Sequence, residues 1–423
     1  MISQQTQKNS IIILSGNIFK VLGGFFSTTL LAQKLGPEVF GRFSIFLSIF
    51  LIVTAISDFG INISFVRLFT QKKSQDELEA DMFLKNVFLI RLLISACFFI
   101  FTIFFFRFLS PLFTNETVPV SIIIMGSFLI ISESLLSFFL SIEQAFQKFN
   151  YYTLVGSIPI ILRLILLLIF YNANTLNIFT AFGSFVISSL LVVTYLFFSK
   201  KYYVISLQMK LLTHSMKEIF SWSKWLFIHT IANVFFVKLD ILFLGYFRVK
   251  EFFIGQYALA NTFASAITIV QNSFLTFLLP KVSDFKSVGQ VTSYKKKSLK
   301  FILYLFPFII VFIVSGKYFI EMFYGAGYSD SSTIFLILSS ATALSLLATP
   351  ISVLAFSLNK PHLLVIDNVA GMILISASAI FLVPFSGIYG AAYATLISRF
   401  GAELLIIVYT LITIRNLKTD LAL

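Results

Sequence analysis

The chain has 423 residues, of which 58% are hydrophobic and only 12% charged, with a mean hydropathy of +0.96. Soluble proteins carry about 25% charged residues, so these proportions exclude a water-soluble globule, and the same apolar excess excludes disorder. The balance of 31 basic to 18 acidic residues, a net +13, reads as basic loops on one face of a membrane rather than as a nucleic-acid surface.

Twelve stretches are predicted to cross a bilayer, each close to the roughly 20 apolar residues that a membrane helix needs. In chain order they are 11–32, 43–69, 86–109, 120–142, 151–170, 178–198, 226–247, 257–279, 299–322, 333–357, 362–384 and 388–413. Breaks fall on turn residues: Gly36-Pro37, Ser110-Pro111, Asn172 to Asn174, Gly325 to Gly327 and Asn359 to Pro361. The separations at 357–362 and 384–388 are read as breaks between spans, with kinks within longer helices as the alternative. Lys20 interrupts the first stretch, which therefore does not read as a cleavable signal. The single cysteine, Cys97, excludes an intramolecular disulfide or a cysteine metal cluster.

With the N-terminus inside, nineteen Lys and Arg fall in inner loops against six in outer ones, which predicts both termini on the cytoplasmic side. The longest inner connection, 199–225, carries Ile205, Met209, Leu212, Met216 and Ile219 at helical spacing. It is expected to be an amphipathic segment on the inner surface, or a linker packed on the bundle. It divides the chain into an N-terminal bundle, 1–198, and a C-terminal bundle, 226–423. Around the first outer loop the chain reads Glu38-Val-Phe-Gly41-Arg-Phe-Ser44, and around the fourth Phe252-Phe-Ile-Gly255-Gln-Tyr-Ala258. Six spans per half place both halves in the same orientation. The predicted fold is thus an all-α integral membrane protein of about twelve helices, in two six-helix bundles related by a pseudo-two-fold along the membrane normal. Two such bundles can rock and open a central cavity to either side in turn.

A charged group at the bilayer centre costs about 2.5–3.5 kcal/mol or more, so charges inside spans mark candidate sites. The basic candidates are Lys20, Arg163, Lys238 and Arg399, with Arg67 and Arg91 nearer the inner edge, where snorkelling to headgroups would also explain them. The acidic ones are Asp58, Glu133, Asp240, Asp367 and Glu403. Lys20 lies among Gly16, Gly23, Gly24 and Ser27; Asp58 and Asn62 are spaced i, i+4; Glu133 heads a stripe with Ser137, Ser141 and Gln144. Asn233 shares a face with Asp240, and Asn261, Ser265, Thr268 and Asn272 form the longest polar stripe. Such stripes line a watery path or hydrogen-bond between helices. Lys238 and Asp240 point about 200° apart around one helix, so each needs a partner elsewhere. Arg399 and Glu403 are spaced to pair within one helix. His214, His229 and His362 have no metal-ligand spacing, and no catalytic constellation or phosphate-binding Gly-rich loop stands out.

Leu35-Gly36-Pro37-Glu38-Val39-Phe40-Gly41, then Ser57-Asp58-Phe59-Gly60 and Phe65-Val66-Arg67-Leu68-Phe69, resemble the N-terminal region of polysaccharide repeat-unit flippases of the Wzx type. These belong to the multidrug/oligosaccharidyl-lipid/polysaccharide exporter superfamily. The resemblance implies an undecaprenyl-diphosphate-linked oligosaccharide, an O-antigen or related repeat unit, moved across a bacterial inner membrane through a cationic cavity. By matched motif it places Asp58 and Arg67 in that cavity; Lys20, Arg91, Glu133, Arg163, Lys238, Asp240 and Arg399 are added from the span reading. The acidic members depart from a purely cationic lumen and would pair with the basic ones or bind a coupling H⁺ or Na⁺. No other cofactor is expected. Expected partners are the lipid-linked oligosaccharide, membrane lipids and polysaccharide polymerase machinery, with no nucleic acid.

The alternatives are an ion-coupled multidrug exporter of the same superfamily, expected to have an acidic aromatic cavity, and a lipid II-type flippase, expected to have two further spans. A membrane glycosyltransferase or polymerase would need a substantial extramembrane loop, and the outer loops here are only about ten residues or fewer. A structural scaffold would not explain so many charges inside spans.

Overall fold

The computed structural model describes residues 4–114, 118–199, 209–283, 288–354 and 362–420. Among them lie eleven α-helices and no strand. Lipid offers backbone groups no hydrogen-bond partner, so each span satisfies its own. The helices are α1 (Gln4–Asp58), α2 (Ile61–Lys73), α3 (Glu77–Leu109), α4 (Val120–Ala145), α5 (Phe149–Asn172) and α6 (Ile178–Ser199). The second half holds α7 (Met209–Tyr246), α8 (Glu251–Ser283), α9 (Val288–Tyr324), α10 (Ser329–Ser352) and α11 (His362–Asp420). Nine helical stretches among the described residues are long and apolar enough to cross a membrane, and two of these, of 59 and 48 residues, are long enough to cross twice. The chain is a multi-pass membrane protein.

The two double-length stretches bend where glycine permits it. α1 turns at Gly36 (φ 73°), just before Pro37, and α11 turns at Gly387 (φ 55°), just after Pro384. Proline removes an amide donor from the helix and glycine accepts a left-handed φ without a Cβ clash. The separation at 384–388 is therefore a kink inside one helix; the one at 357–362 falls mainly on 355–361, outside the described residues. The second span is not the continuous helix predicted over 43–69. It breaks at Phe59 (φ 48°) and Gly60 (φ 70°), ending α1 at Asp58 and starting α2 at Ile61. The physical reason is a close approach by α7. A Cβ on Gly60 would sit 3.0 Å from the Phe227 nitrogen and the Ser223 carbonyl oxygen, while the Phe59 ring stacks on Phe227 at 4.8 Å.

The chain forms two compact units: Ser15–Leu35 with Arg42–Val234, and Met1–Leu14, Gly36–Gly41 and Phe235–Leu423. In the first, α4 packs on α2, α3, α5 and α6. Its buried Gly126, Ser127, Ser132 and Ser134 let neighbours come close, which is how helices associate in lipid, where no hydrophobic force draws them together. A Cβ on Gly126 would land in the Phe50 ring, which stacks on Phe106 at 4.8 Å and meets Phe182 edge-on at 5.5 Å. In the second unit α10 packs on α8, α9 and α11. It reaches the last span through Ser352 Oγ donating to Glu403 at 3.2 Å and Tyr389 donating to Asp330 at 3.0 Å. In both halves the fourth span is thus the hub, packing on the second, third and sixth.

The two glycines aligned by the sequence repeat lie at one helix crossing. A Cβ on Gly41 would strike the Glu251 carbonyl oxygen, and a Cβ on Gly255 the Pro37 carbonyl oxygen. Backbone meets backbone there, which leaves room for no side chain. Residues 209–225, the larger part of the expected inner connection, form the first turns of α7 and run on into its span; 200–208 lie outside the described residues. Ile219 of that stripe is buried and Met216 is exposed.

Candidate functional site

Arg91 has the most extensive side-chain network of the charges inside the first unit. It is 1% exposed, so it does not snorkel. Because α1 ends at Asp58, its last carbonyls lack continuing helical amides; the Phe59 amide donates to the Ile56 carbonyl at 3.2 Å, and Arg91 supplies a donor to that of Ser57. Nη1 donates to the Ser57 carbonyl at 2.7 Å; Nε and Nη2 donate to the Ser134 carbonyl at 3.3 and 3.2 Å. Asp58 Oδ1 lies 3.4 Å from Nη2, and Asn62 Nδ2 donates at 3.1 Å to Ser137 Oγ, which is itself 3.5 Å from Nη2. Asp58, Asn62 and Arg91 form one network that joins α1, α2, α3 and α4. Arg67 is exposed further along α2.

A second group lies on α4, α5 and α6. Arg163 Nη2 is 3.5 Å from Glu133 Oε1, which also accepts from Ser189 Oγ at 2.6 Å, and the guanidinium lies 3.7 Å over the Phe185 ring. Glu133 is 28% and Arg163 14% exposed at the side chain, so this pair is far less enclosed than Arg91. On the same helix α5, two and three turns nearer its start, Gly156 and Tyr152 receive Lys20. Its ammonium lies 5.1 Å from the Tyr152 ring centre and directly opposite Gly156, where a Cβ would displace it. Lys20 has no ion-pair partner among the described residues. A half-buried cation with an aromatic face on one side and a glycine on the other can accept an anion without first breaking a salt bridge.

The second unit holds its own cluster. Asp240 is 3% exposed; Oδ1 accepts from the Ile241 amide at 2.7 Å and Oδ2 from the Tyr257 hydroxyl at 2.7 Å. That hydroxyl stands 3.3 Å from Thr395 Oγ1, one turn before Arg399. Arg399 lies 5.6 Å from the Phe236 ring centre and interacts electrostatically with Asp240, Glu403 and Asp367. The i, i+4 pair of Arg399 and Glu403 does not close to salt-bridge distance; Glu403 turns to Ser352 on α10. Lys238 is half-buried and has no ion-pair partner among the described residues. Replacing Tyr257 by phenylalanine would leave a buried carboxylate oxygen unsatisfied. Thermal melts in detergent are expected to show Tyr257→Phe destabilised by about 1–3 kcal/mol.

Of the polar stripe on α8, Asn261 and Thr268 are half-buried and Ser265 is exposed. Ser265 donates to the Thr262 carbonyl at 2.6 Å. Asn233 is exposed on α7, and the side chain of Asn272 lies outside the described residues. No group of three or more metal-ligating side chains occurs among the described residues. The sequence reading missed Tyr257, Thr395 and Ser189. Tyr257 had a signal, since the repeat aligns it with Phe43, and a hydroxyl added in only one half marks a polar site there.

The described helices form an all-α, multi-pass membrane protein with charges held inside its spans. The structure resembles that of the lipid II flippase MurJ in an inward closed conformation, at TM-score 0.78 and 19% identity over 94% of this chain and 87% of that one. It also resembles an inward-facing multidrug resistance MATE family transporter of the MOP superfamily, at TM-score 0.73 and 15% identity over 97% and 99%. A third is a MOP superfamily transporter from Pyrococcus furiosus, described as having a binding pocket of reversed polarity, at TM-score 0.61 and 14% identity over 98% and 96%. No curated protein matches the sequence. The chain belongs to the polysaccharide biosynthesis protein family, whose sequence profile matches residues 6–286.

Proposed function

We propose that this protein is a flippase for an undecaprenyl-diphosphate-linked oligosaccharide, an O-antigen or related surface polysaccharide repeat unit. It moves the head group from the cytoplasmic to the outer leaflet of a bacterial inner membrane by alternating access, with both termini cytoplasmic. The observation that carries this reading, beside family membership, is Lys20: a cation inside a span, opposite Gly156 and against Tyr152, with no acidic partner among the described residues. A diphosphate supplies the missing charge through charge-assisted hydrogen bonds, while the polyprenyl tail stays in lipid. Arg163, in the same unit, held over Phe185 and only partly neutralised by Glu133, extends the cationic path. No bond in the substrate is broken, so the free energy comes from an ion gradient or from removal of product outside. Asp240, Asp367 and Glu403, grouped in one unit, are the candidate carriers for a coupling H⁺ or Na⁺.

A flippase-null strain with a defined repeat unit tests this. Lys20→Ala is expected to reach the membrane, accumulate lipid-linked oligosaccharide in the inner leaflet and cut surface glycan about tenfold, the scale of one lost charge-assisted contact; Lys20→Arg is expected to keep most of it. Normal glycan from Lys20→Ala would remove Lys20 from the path. A lipid II-type substrate is the second reading, favoured by the likeness to MurJ. Rescue of a strain depleted of its lipid II flippase, without rescue of the repeat-unit strain, would select it.

A further inference from the structure

We infer that the face carrying the turn between α4 and α5 holds a binding site for an anionic phospholipid, distinct from the transport path. The phosphate would rest on Lys73 and Lys148 and one acyl chain in the groove between α5 and α6.

The head-group end is built from two turns far apart in sequence. The Phe146 ring is approached by the Lys73 ammonium at 4.3 Å from the end of α2, and by the Lys148 ammonium at 5.5 Å from the start of α5. Both lysines are exposed, and neither forms an ion pair with a described residue. Their neighbours differ. Lys72 is held by Glu79 at 2.6 Å and Glu218 at 3.2 Å, and Lys85 by Asp81 at 2.7 Å. Glu143, the acid closest to Lys148 in sequence, is buried at 4% exposure. Lys73 and Lys148, unlike Lys72 and Lys85, are thus left without an acidic partner among the described residues, and they lie where α2 and α5 leave the apolar zone.

The tail end is the groove itself. About 330 Å³ of open space is lined by Tyr151, Leu154, Ile158 and Leu162 of α5 and Leu191 and Tyr195 of α6. Leu154, Leu191 and Tyr195 are 59%, 53% and 63% exposed, so the groove faces the bilayer. From Tyr151 to Leu162 it runs about 16 Å by helical rise, the length of most of one acyl chain. Lys148 immediately precedes α5, three residues before Tyr151, which puts the cations near the groove's mouth. Tyr151 and Tyr195 sit at that same end, as tyrosines do at the headgroup level. Charge at the mouth and an apolar trough behind it fit an anionic diacyl lipid. A zwitterionic lipid would bring its own cation to the lysines and gain less.

The test uses the full chain, purified and delipidated in detergent, with native mass spectrometry counting retained lipid. Phosphatidylglycerol is expected to be retained over phosphatidylcholine of the same chain length. Lys73→Gln/Lys148→Gln is expected to weaken phosphatidylglycerol retention roughly thirtyfold, from two lysines near an anionic headgroup. Lys250→Gln is expected to leave it unchanged. Leu191→Trp, which fills the groove, should lower retention with both lysines intact. Equal retention of the two lipids by the wild type, or unchanged retention by the double variant, would overturn the site. So would preferential displacement of phosphatidylglycerol by undecaprenyl phosphate, which would make the groove part of the substrate path.

Discussion

Leucine at Gly255 is expected to abolish transport and lower the folded yield, and alanine there is expected to cut transport about tenfold or more. The space a Cβ would need at Gly255 is held by the carbonyl of Pro37, and at Gly41 by that of Glu251. A flexible side chain can rotate away, but a carbonyl moves only with its helix, so even one methyl group pushes two backbones apart. Overpacking costs about 1–3 kcal/mol where side chains can shift, and this crossing has none that can. Gly183 is the control: it is buried in α6 with no atom within 4 Å of where a Cβ would sit, and Gly183→Ala should transport normally. Surface glycan from the complemented strain, read beside the detergent melting temperature, separates failure to fold from failure to move. Full transport by Gly255→Ala would show that the crossing tolerates displacement.

Arg91→Met is expected to be the most destabilising single change in the first unit, by about 3–5 kcal/mol, the range for removing one partner of a buried ion pair. It would strand the Asp58 carboxylate and the Ser57 carbonyl, and take two donors from Ser134. Arg91→Lys should rescue little, because one ammonium cannot reach carbonyls on both α1 and α4. Adding Asp58→Asn to Arg91→Met is expected to recover part of the loss, since the uncompensated charge goes while the orphan carbonyls remain. Urea or thermal unfolding of the four proteins in one detergent checks this. Additive losses in the double variant would show that the two side chains do not couple.

Arg91 also shows where sequence reading reached its limit. Its place near the inner edge of a span suggested snorkelling to headgroups, but its actual use depends on a helix break that composition hides. Ser57-Asp58-Phe59-Gly60 matched a family motif, yet nothing in hydropathy says that Phe59 and Gly60 take positive φ and free the Ser57 carbonyl. The kinks were more legible, since Gly36-Pro37 and Pro384 to Gly387 state their backbone preference in residue type. The Gly41 and Gly255 repeat was legible as a pattern, and its cause, two backbones in contact, came only with coordinates. The Asp240 partner was hidden for another reason. A helical stripe brings Asn233 to the same face, but Tyr257 comes from the next helix and counts as apolar in any composition. Arg399 and Glu403 had ideal spacing for a pair, but Ser352 on α10 lies within reach of the carboxylate, and tertiary packing overrode the local rule.

On the proposed function, this fold carries a polyprenyl-diphosphate-linked saccharide across a membrane. Purified protein reconstituted into sealed liposomes with a fluorescent undecaprenyl-diphosphate oligosaccharide tests it most directly, with outer-leaflet label read by an added lectin or glycosidase. Label is predicted to become fully accessible over time with the wild type, several-fold more slowly with Lys20→Ala, and to remain about half accessible in protein-free liposomes. Half accessibility with folded wild-type protein, under imposed H⁺ or Na⁺ gradients of either direction, would rule out this transport.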